Sequence, residues 1–158
     1  MRDYQAHEGE LIAKEMTDQL SLDLTAKHLV TESISLWVGY SRRDENPGAL
    51  GTAQFCRPTN LSAEMVPAIA ALYRRIVNPN YMVRRISLCC NRVTRDTEML
   101  QLNMFEDVSQ QLRQKALQET LLEIRSRYGK NSILKGINFE EAATGRLRNQ
   151  QIGGHRSG

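Results

Sequence analysis

The chain has 158 residues, of which 41% are hydrophobic and 25% charged, and its formal net charge is +3. This length suits one domain with a tail, and the composition excludes collagen-like, wholly disordered and membrane-spanning chains. The N-terminus carries acids and lacks an apolar signal stretch, so a cytoplasmic protein is expected. Three cysteines, with Cys89 and Cys90 adjacent, suit a reducing compartment rather than a disulfide framework.

The first predicted element is a helix from Glu8 to Leu29, because apolar residues recur at every fourth position along it. From Thr31 to Ser41 apolar residues alternate with small or polar ones, which predicts a strand. The turn residues between Arg42 and Gly51 then indicate a hairpin that leads into a second strand, Thr52 to Arg57.

A second predicted helix begins with Ser62 as its N-cap and ends near Val77, and a third strand follows from Val83 to Val93. If Met1 to Gln5 is the remnant of an edge strand, the element order becomes β-α-β-β-α-β. That order is typical of an α+β, ferredoxin-like sandwich, in which two helices cover one face of the sheet.

The other face of the predicted sheet has no covering layer, and we call it the bare face. Its predicted members are Ser35, Trp37, Gly39, Thr52, Gln54, Arg85, Ser87, Cys89 and Asn91. Apart from the tryptophan they are small, polar or basic, so a phosphate backbone could come close. Solvent or a partner protein would suit the same composition, which leaves these alternatives open.

An acid-free stretch runs through the second helix and the third strand, from Met65 to Arg95. Its basic residues are Arg74, Arg75, Arg84, Arg85, Arg92 and Arg95. Unopposed arginine is typical of surfaces that bind nucleic-acid phosphates, although a solvated basic face has the same composition.

A short apolar peptide, Gln101 to Phe105, follows the sheet, and helical periodicity returns from Val108 to Tyr128. The glycine-containing, acid-free segment from Ala142 to Gly158 is expected to be mobile. The chain is thus divided into a sheet domain (1–97), a peptide segment (98–107), a helix (108–129) and a basic, partly flexible tail (130–158).

Signatures of catalysis and of metal binding are missing from the sequence. It has no glycine-rich phosphate loop, no Gly-x-Ser-x-Gly motif and no zinc-ligand spacing. Its three histidines are scattered, and its acidic pairs fall in predicted loops or helix ends. We therefore expect no active site and no cofactor in this chain.

Four features together resemble the C-terminal portion of a Y-family translesion DNA polymerase of the UmuC/ImpB/MucB/SamB type. They are the element order, the strand Val83 to Leu88 with its paired arginines, the peptide Gln101 to Phe105 and the ending Ile152 to His155. The resemblance implies a non-catalytic little-finger domain in residues 1–97, whose sheet binds primer–template DNA. It also implies a longer error-prone polymerase with palm, fingers and thumb domains and Mg²⁺, acting at the nucleoid in the SOS response to DNA damage.

Seven residues are implied as DNA contacts by the resemblance together with the predicted bare face. They are Gln54, Arg57, Arg84, Arg85, Ser87, Cys89 and Asn91. Strand periodicity agrees with the resemblance for Arg85. Arg84 has the parity of the core residues, so it either reaches phosphate from the end of the strand or is a surface charge on the helix side.

The peptide Gln101-Leu102-Asn103-Met104-Phe105 resembles the sliding-clamp-binding motif Gln-Leu-x-Leu-Phe. The resemblance implies that Gln101 fills a polar subsite, while Leu102, Met104 and Phe105 insert into an apolar pocket of the replicative clamp. The alternative is a further strand, or a hydrophobic staple for the helix that follows.

Trp37 departs from the family pattern, because a bulky indole is unusual on a sheet that faces DNA. We expect it to dock the helix Val108 to Tyr128, with stacking on a sugar or base as the alternative. The rival to the polymerase interpretation is a ferredoxin-like protein-interaction module without nucleic-acid binding. An RNA-binding sheet is disfavoured, because the strands lack the paired aromatic residues that stack bases.

Overall fold

The computed structural model describes residues 2–41, 46–97, 108–152 and 155–156. The sheet region contains α1 (Ala6–Ala26), β1 (Leu29–Tyr40), β2 (Ala49–Thr59), α2 (Ser62–Ile76), β3 (Val83–Asn91) and β4 (Thr94–Arg95). After it come α3 (Val108–Tyr128), a 3-10 helix (Gly136–Phe139), α4 (Gly145–Arg148), β5 (Gln151–Ile152) and β6 (His155–Arg156). The predicted α+β fold, a ferredoxin-like sandwich, is confirmed.

The sheet is antiparallel, with β1 in the centre between β2 and β3. β3 ends at Asn91, the next residue, Arg92, has a positive φ of 50°, and β4 then resumes the pairing with the first residues of β1. At the outer edge of β3, Tyr4 and Val83 exchange two backbone hydrogen bonds of 2.8 Å. The predicted edge strand at Met1 to Gln5 is thus reduced to one bridge among the described residues.

The core lies between the sheet and the two helices α1 and α2. Ile34, Leu36 and Val38 of β1 are fully buried against Met65 and Ile69 of α2. They alternate with the residues of the bare face, as the strand period predicts. This burial fixes which side of the sheet is left open.

Two glycines let α2 approach its neighbours closely. A Cβ on Gly51 of β2 would lie 2.8 Å from Leu72 Cδ1, and one on Gly9 of α1 would lie 2.2 Å from Tyr73 Oη. The Tyr73 hydroxyl donates to the Ala6 carbonyl at 2.8 Å, and burial raises the pKa of this phenol. A side chain at either position would therefore force the neighbouring side chain of α2 to move.

Helix α2 begins at Ser62, but the predicted N-cap role of this residue is wrong. The N-cap position is Leu61, and its N–H is satisfied by Thr59 Oγ1 at 3.1 Å. The Ser62 hydroxyl instead donates to Asp18 of α1, and its N–H donates to Gln118 Oε1 at 3.1 Å. Ser62 therefore links the first two helices to the third.

Helix α3 packs on α1 as a third layer, and part of this contact is made by hydrogen bonds. Its buried residue is Gln118, whose amide nitrogen donates to Thr25 Oγ1 and to the Asn60 carbonyl, both at 2.6 Å. Leu112, one of the apolar residues in the helical pattern of Val108 to Tyr128, is 50% exposed. A hydrogen-bonded glutamine therefore positions this helix, together with the 3.0 Å ion pair of Lys115 with Asp96.

The residues after α3 fold back onto α1, where they meet a buried carboxylate. Glu15 accepts hydrogen bonds from the backbone N–H groups of Thr144 and Gly145, at 2.7 and 2.9 Å, and from Asn138 Nδ2 at 2.5 Å. Arg148 lies 3.5 Å away, and its burial lowers its pKa while the charge on Glu15 opposes that shift. The Glu15 carboxylate therefore joins the start of α4 to α1.

No helix in the described ranges combines the length and the apolar character that a bilayer crossing requires. Within the same residues, no cluster of three or more His, Cys, Asp or Glu side chains is placed to hold a metal ion.

Candidate nucleic-acid interface

The bare face exists as predicted, and the strand register arranges it in rows. The rows are Gln54–Ser33–Asn91, Thr52–Ser35–Cys89, Leu50–Trp37–Ser87 and Gly39–Arg85. All nine predicted members lie on this face, and Ser33, Leu50 and the exposed Cys56 share it. None of these twelve residues carries a carboxylate.

Short hydrogen-bonded side chains keep one end of the bare face flat. Asn91 Nδ2 donates to Ser33 Oγ at 3.2 Å and to Ser35 Oγ at 2.9 Å. The hydroxyls of Ser35 and Thr52 lie 2.9 Å apart and share one hydrogen bond. This network holds polar groups at the surface without long side chains, so a phosphate backbone can approach the sheet.

Within the described residues, three of the six arginines in the predicted arginine-rich stretch form ion pairs, because acids from α1, β1 and the N-terminus fold beside them. The ion pairs are Arg74 with Glu10 (2.7 Å), Arg84 with Asp3 (3.7 Å) and Arg92 with Glu32 (3.2 Å). Burial alone would raise the pKa of Glu10, but hydrogen bonds from Arg74 and Lys14 outweigh it and lower that pKa. On the bare face, the exposed Arg85 makes no ion pair with any residue that the structure describes.

Two of the seven implied DNA contacts lie away from the bare face. Arg57 lies on the helix side of β2, where it pairs with Glu64 of α2 at 2.5 Å. Arg84 lies at the register shift between the Gly39–Arg85 and Tyr40–Val83 pairs, where it pairs with Asp3 of the N-terminal segment. Gln54, Arg85, Ser87, Cys89 and Asn91 are brought together on the bare face.

Cys56 is a member of the bare face that the sequence analysis missed. It has the same parity as Gln54 and is exposed, whereas Arg57 has the opposite parity. The two-residue period of β2 would have found it.

Trp37 lies across Gly39 on the bare face, so its predicted docking on α3 is wrong. A Cβ on Gly39 would lie 2.6 Å from the Cη2 atom of the indole. Helix α3 packs instead on α1, on the opposite side of the sheet. Trp37 is therefore a partly exposed member of the candidate interface.

The cysteines provide a test of which way the strands face. Cys56 and Cys89 are exposed on the bare face, whereas Cys90 faces the core and burial raises the pKa of its thiol. Because the thiolate is the reactive form, we expect a maleimide at neutral pH to label Cys56 and Cys89 several times faster than Cys90. Peptide mass spectrometry, with a Cys89→Ser variant to isolate Cys90, measures the rates. Fastest labelling at Cys90 would contradict the register.

The candidate clamp-binding residues Gln101, Leu102, Met104 and Phe105 lie outside the described residues. The described chain ends before them at Thr97 and resumes at Val108, the first residue of α3.

Comparison with known proteins gives one family and one curated relative. Residues 2–104 match a family described as the impB/mucB/samB family C-terminal domain. A protein of Bacillus subtilis (strain 168) named "Putative UV-damage repair protein UvrX" is 27% identical over 158 residues, which cover 99% of this chain. The chain spans 37% of that relative's length. No solved structure matches significantly.

Proposed function

The chain belongs to the impB/mucB/samB C-terminal domain family, and we propose that it is the DNA-binding and clamp-binding region of an error-prone translesion DNA polymerase. The observation that carries this proposal is the bare face, which has small polar side chains, Arg85 and no carboxylate. The name of the Bacillus relative, which refers to UV-damage repair, supports it. Polymerisation and its Mg²⁺ would belong to palm, fingers and thumb domains of a longer protein at the nucleoid.

On this proposal the bare face lies against the backbone of primer–template DNA. The hydroxyls of Ser35, Ser87 and Thr52 and the guanidinium of Arg85 donate to phosphate oxygens. Such contacts position a duplex but do not read its sequence. Binding is therefore indifferent to sequence and weakens with salt, as a polymerase that moves along its template requires.

Arg85 and Arg84 are adjacent, but Arg85 is exposed on the bare face whereas Arg84 pairs with Asp3, so they form a matched pair for testing this interface. We expect Arg85→Ala to weaken binding to primer–template DNA and to reduce the slope of log affinity against log salt by about 0.9 per lost phosphate contact. Arg84→Ala should leave the slope unchanged, because Arg84 pairs with Asp3. Fluorescence anisotropy at several salt concentrations measures both. Equal effects would place DNA elsewhere on the domain.

The native cysteines report the same interface without a charge change. We expect a saturating duplex to slow maleimide labelling of Cys56 and Cys89 and to leave Cys90 unaffected. The rival function is a protein-interaction module. In that case DNA would leave the labelling rates of all three cysteines unchanged.

We also propose that residues 98–107 carry the clamp-binding motif, between the sheet domain (1–97) and α3. The support is the sequence Gln101 to Phe105 and its position directly after the last strand of the sheet domain. Short motifs of this kind bind through their own anchor side chains.

A further inference from the structure

Trp37 is held over bare backbone by two glycines. The Cη2, Cζ3 and Cζ2 atoms of its ring lie 2.6, 3.1 and 3.2 Å from the position that a Cβ of Gly39 would occupy. The pyrrole side lies beside Gly48, where Nε1 is 3.3 Å from the corresponding position. Gly48 also has a φ of +98°, which side chains rarely adopt. The indole therefore lies low along the sheet rather than standing out from it.

The neighbours of Trp37 make this end of the bare face both apolar and basic. Leu50, its partner on β2, is 71% exposed, and Ser87, its partner on β3, is small. Arg85 is in register with Gly39, so a guanidinium lies one strand away from the residue that the indole covers. Adjacent strands are about 4.8 Å apart, which brings a cation and an apolar ridge within reach of one ligand.

Building on the proposed DNA-binding function, we propose that Trp37 and Leu50 form a non-ionic contact with deoxyribose while Arg85 binds an adjacent phosphate of the same strand. Phosphates follow one another along a DNA strand with a sugar between each pair. On a surface that places a cation beside an aromatic ring, the cation can bind a phosphate while the ring contacts the neighbouring sugar. Because every nucleotide presents the same sugar, the contact is independent of sequence.

The charges on the face favour DNA over a protein as the occupant of this ridge. The bare face carries Arg85 and no carboxylate, so its charge complements a polyanion. The hydroxyl network at the other end of the sheet continues the same surface with groups that donate to phosphate. The indole thus supplies apolar contact within an otherwise polar interface.

Trp37 is the single tryptophan of the chain, so its fluorescence reports the contact directly. We expect titration with primer–template duplex to quench its emission. Trp37→Ala should weaken binding about five- to tenfold, the low end of what stacking on an aromatic side chain contributes in nucleic-acid complexes. The loss should be the same at every salt concentration, because no phosphate contact is removed. Arg85→Ala should instead change the salt slope.

Gly39→Ala is a second variant. It keeps the Trp37 side chain, but the added methyl group pushes the indole away from the sheet. We expect it to weaken duplex binding and to alter the quenching, with thermal unfolding monitored to show that both variants fold. If Trp37→Ala fails to fold, the proposed sugar contact is tested by the fluorescence quenching of the unmodified chain and by the duplex affinity of the Gly39→Ala variant.

Each negative result has a distinct meaning. If the chain binds duplex with the expected Arg85 dependence, but Trp37→Ala binds within twofold and emission is unchanged, the sugar contact is overturned and the proposed function stands. If the chain binds no duplex, the proposed function itself fails. A change in Trp37 emission with the sliding clamp and none with DNA would identify the ridge as a protein contact.

Discussion

Replacing Leu102 and Phe105 together with alanine is expected to weaken binding of the replicative sliding clamp by roughly a thousandfold. Anchor residues of an interface typically cost about 2 kcal/mol or more each on truncation, and about 1.4 kcal/mol corresponds to a tenfold change in affinity. Both side chains are large and apolar, so each truncation would leave part of the clamp pocket unfilled. Isothermal titration of purified clamp with the full chain measures the loss.

Asn103→Ala is the matched control, because Asn103 occupies the variable position of the motif. It should bind the clamp as tightly as the unmodified chain, and the double variant should keep its DNA affinity. A synthetic peptide spanning Met99 to Asp107 should bind the clamp by itself. Normal clamp binding by the Leu102→Ala/Phe105→Ala variant would show that residues 101–105 are not the clamp-binding segment.

Glu15→Ala is expected to release the C-terminal segment from α1. The substitution removes the acceptor of the Thr144 and Gly145 N–H groups and of Asn138, and it leaves Arg148 without its counter-charge. Loss of a buried charged partner costs about 3–5 kcal/mol, so local opening should become at least about a hundredfold more frequent. Amide hydrogen exchange over residues 138–149 measures this opening.

Glu10→Ala provides the comparison, because it is the same substitution on the same helix. The Arg74 side chain that pairs with Glu10 is 65% exposed, and exposed pairs contribute about 1 kcal/mol or less. Exchange over residues 138–149 should therefore not change. If both variants exchanged alike, Glu15 would not be the residue that holds the segment.

The sheet and its two covering helices were predictable, because their residues follow simple periods. Strand alternation placed Ile34, Leu36 and Val38 in the core and Arg85 on the opposite face, and the structure agrees. The same period applied to β2 separates Cys56 from Arg57, and the structure places these two residues on opposite faces of the sheet. Local sequence patterns are enough to predict a helix or strand and its buried side where one face of that element is apolar.

The third layer was not predictable by the same means. Helical periodicity predicted the helix from Val108 to Tyr128, but it did not predict that this helix docks through Gln118 while Leu112 stays half exposed. A contact made by hydrogen bonds between residues far apart in the chain has no periodic signature. The ion pair of Arg74 with Glu10 could not be predicted from the sequence for the same reason, since these residues are 64 positions apart.

The hydrogen bonding of Gln118 has a consequence for mutational tolerance. Its amide donates to Thr25 and Asn60 and accepts from the Ser62 N–H, so the site requires a donor and an acceptor on one side chain. Glutamate has no N–H to donate, lysine cannot accept, and methionine offers no comparable hydrogen bond. In a saturation library of α3, the exposed positions around it should accept most residues, whereas position 118 should accept few besides glutamine.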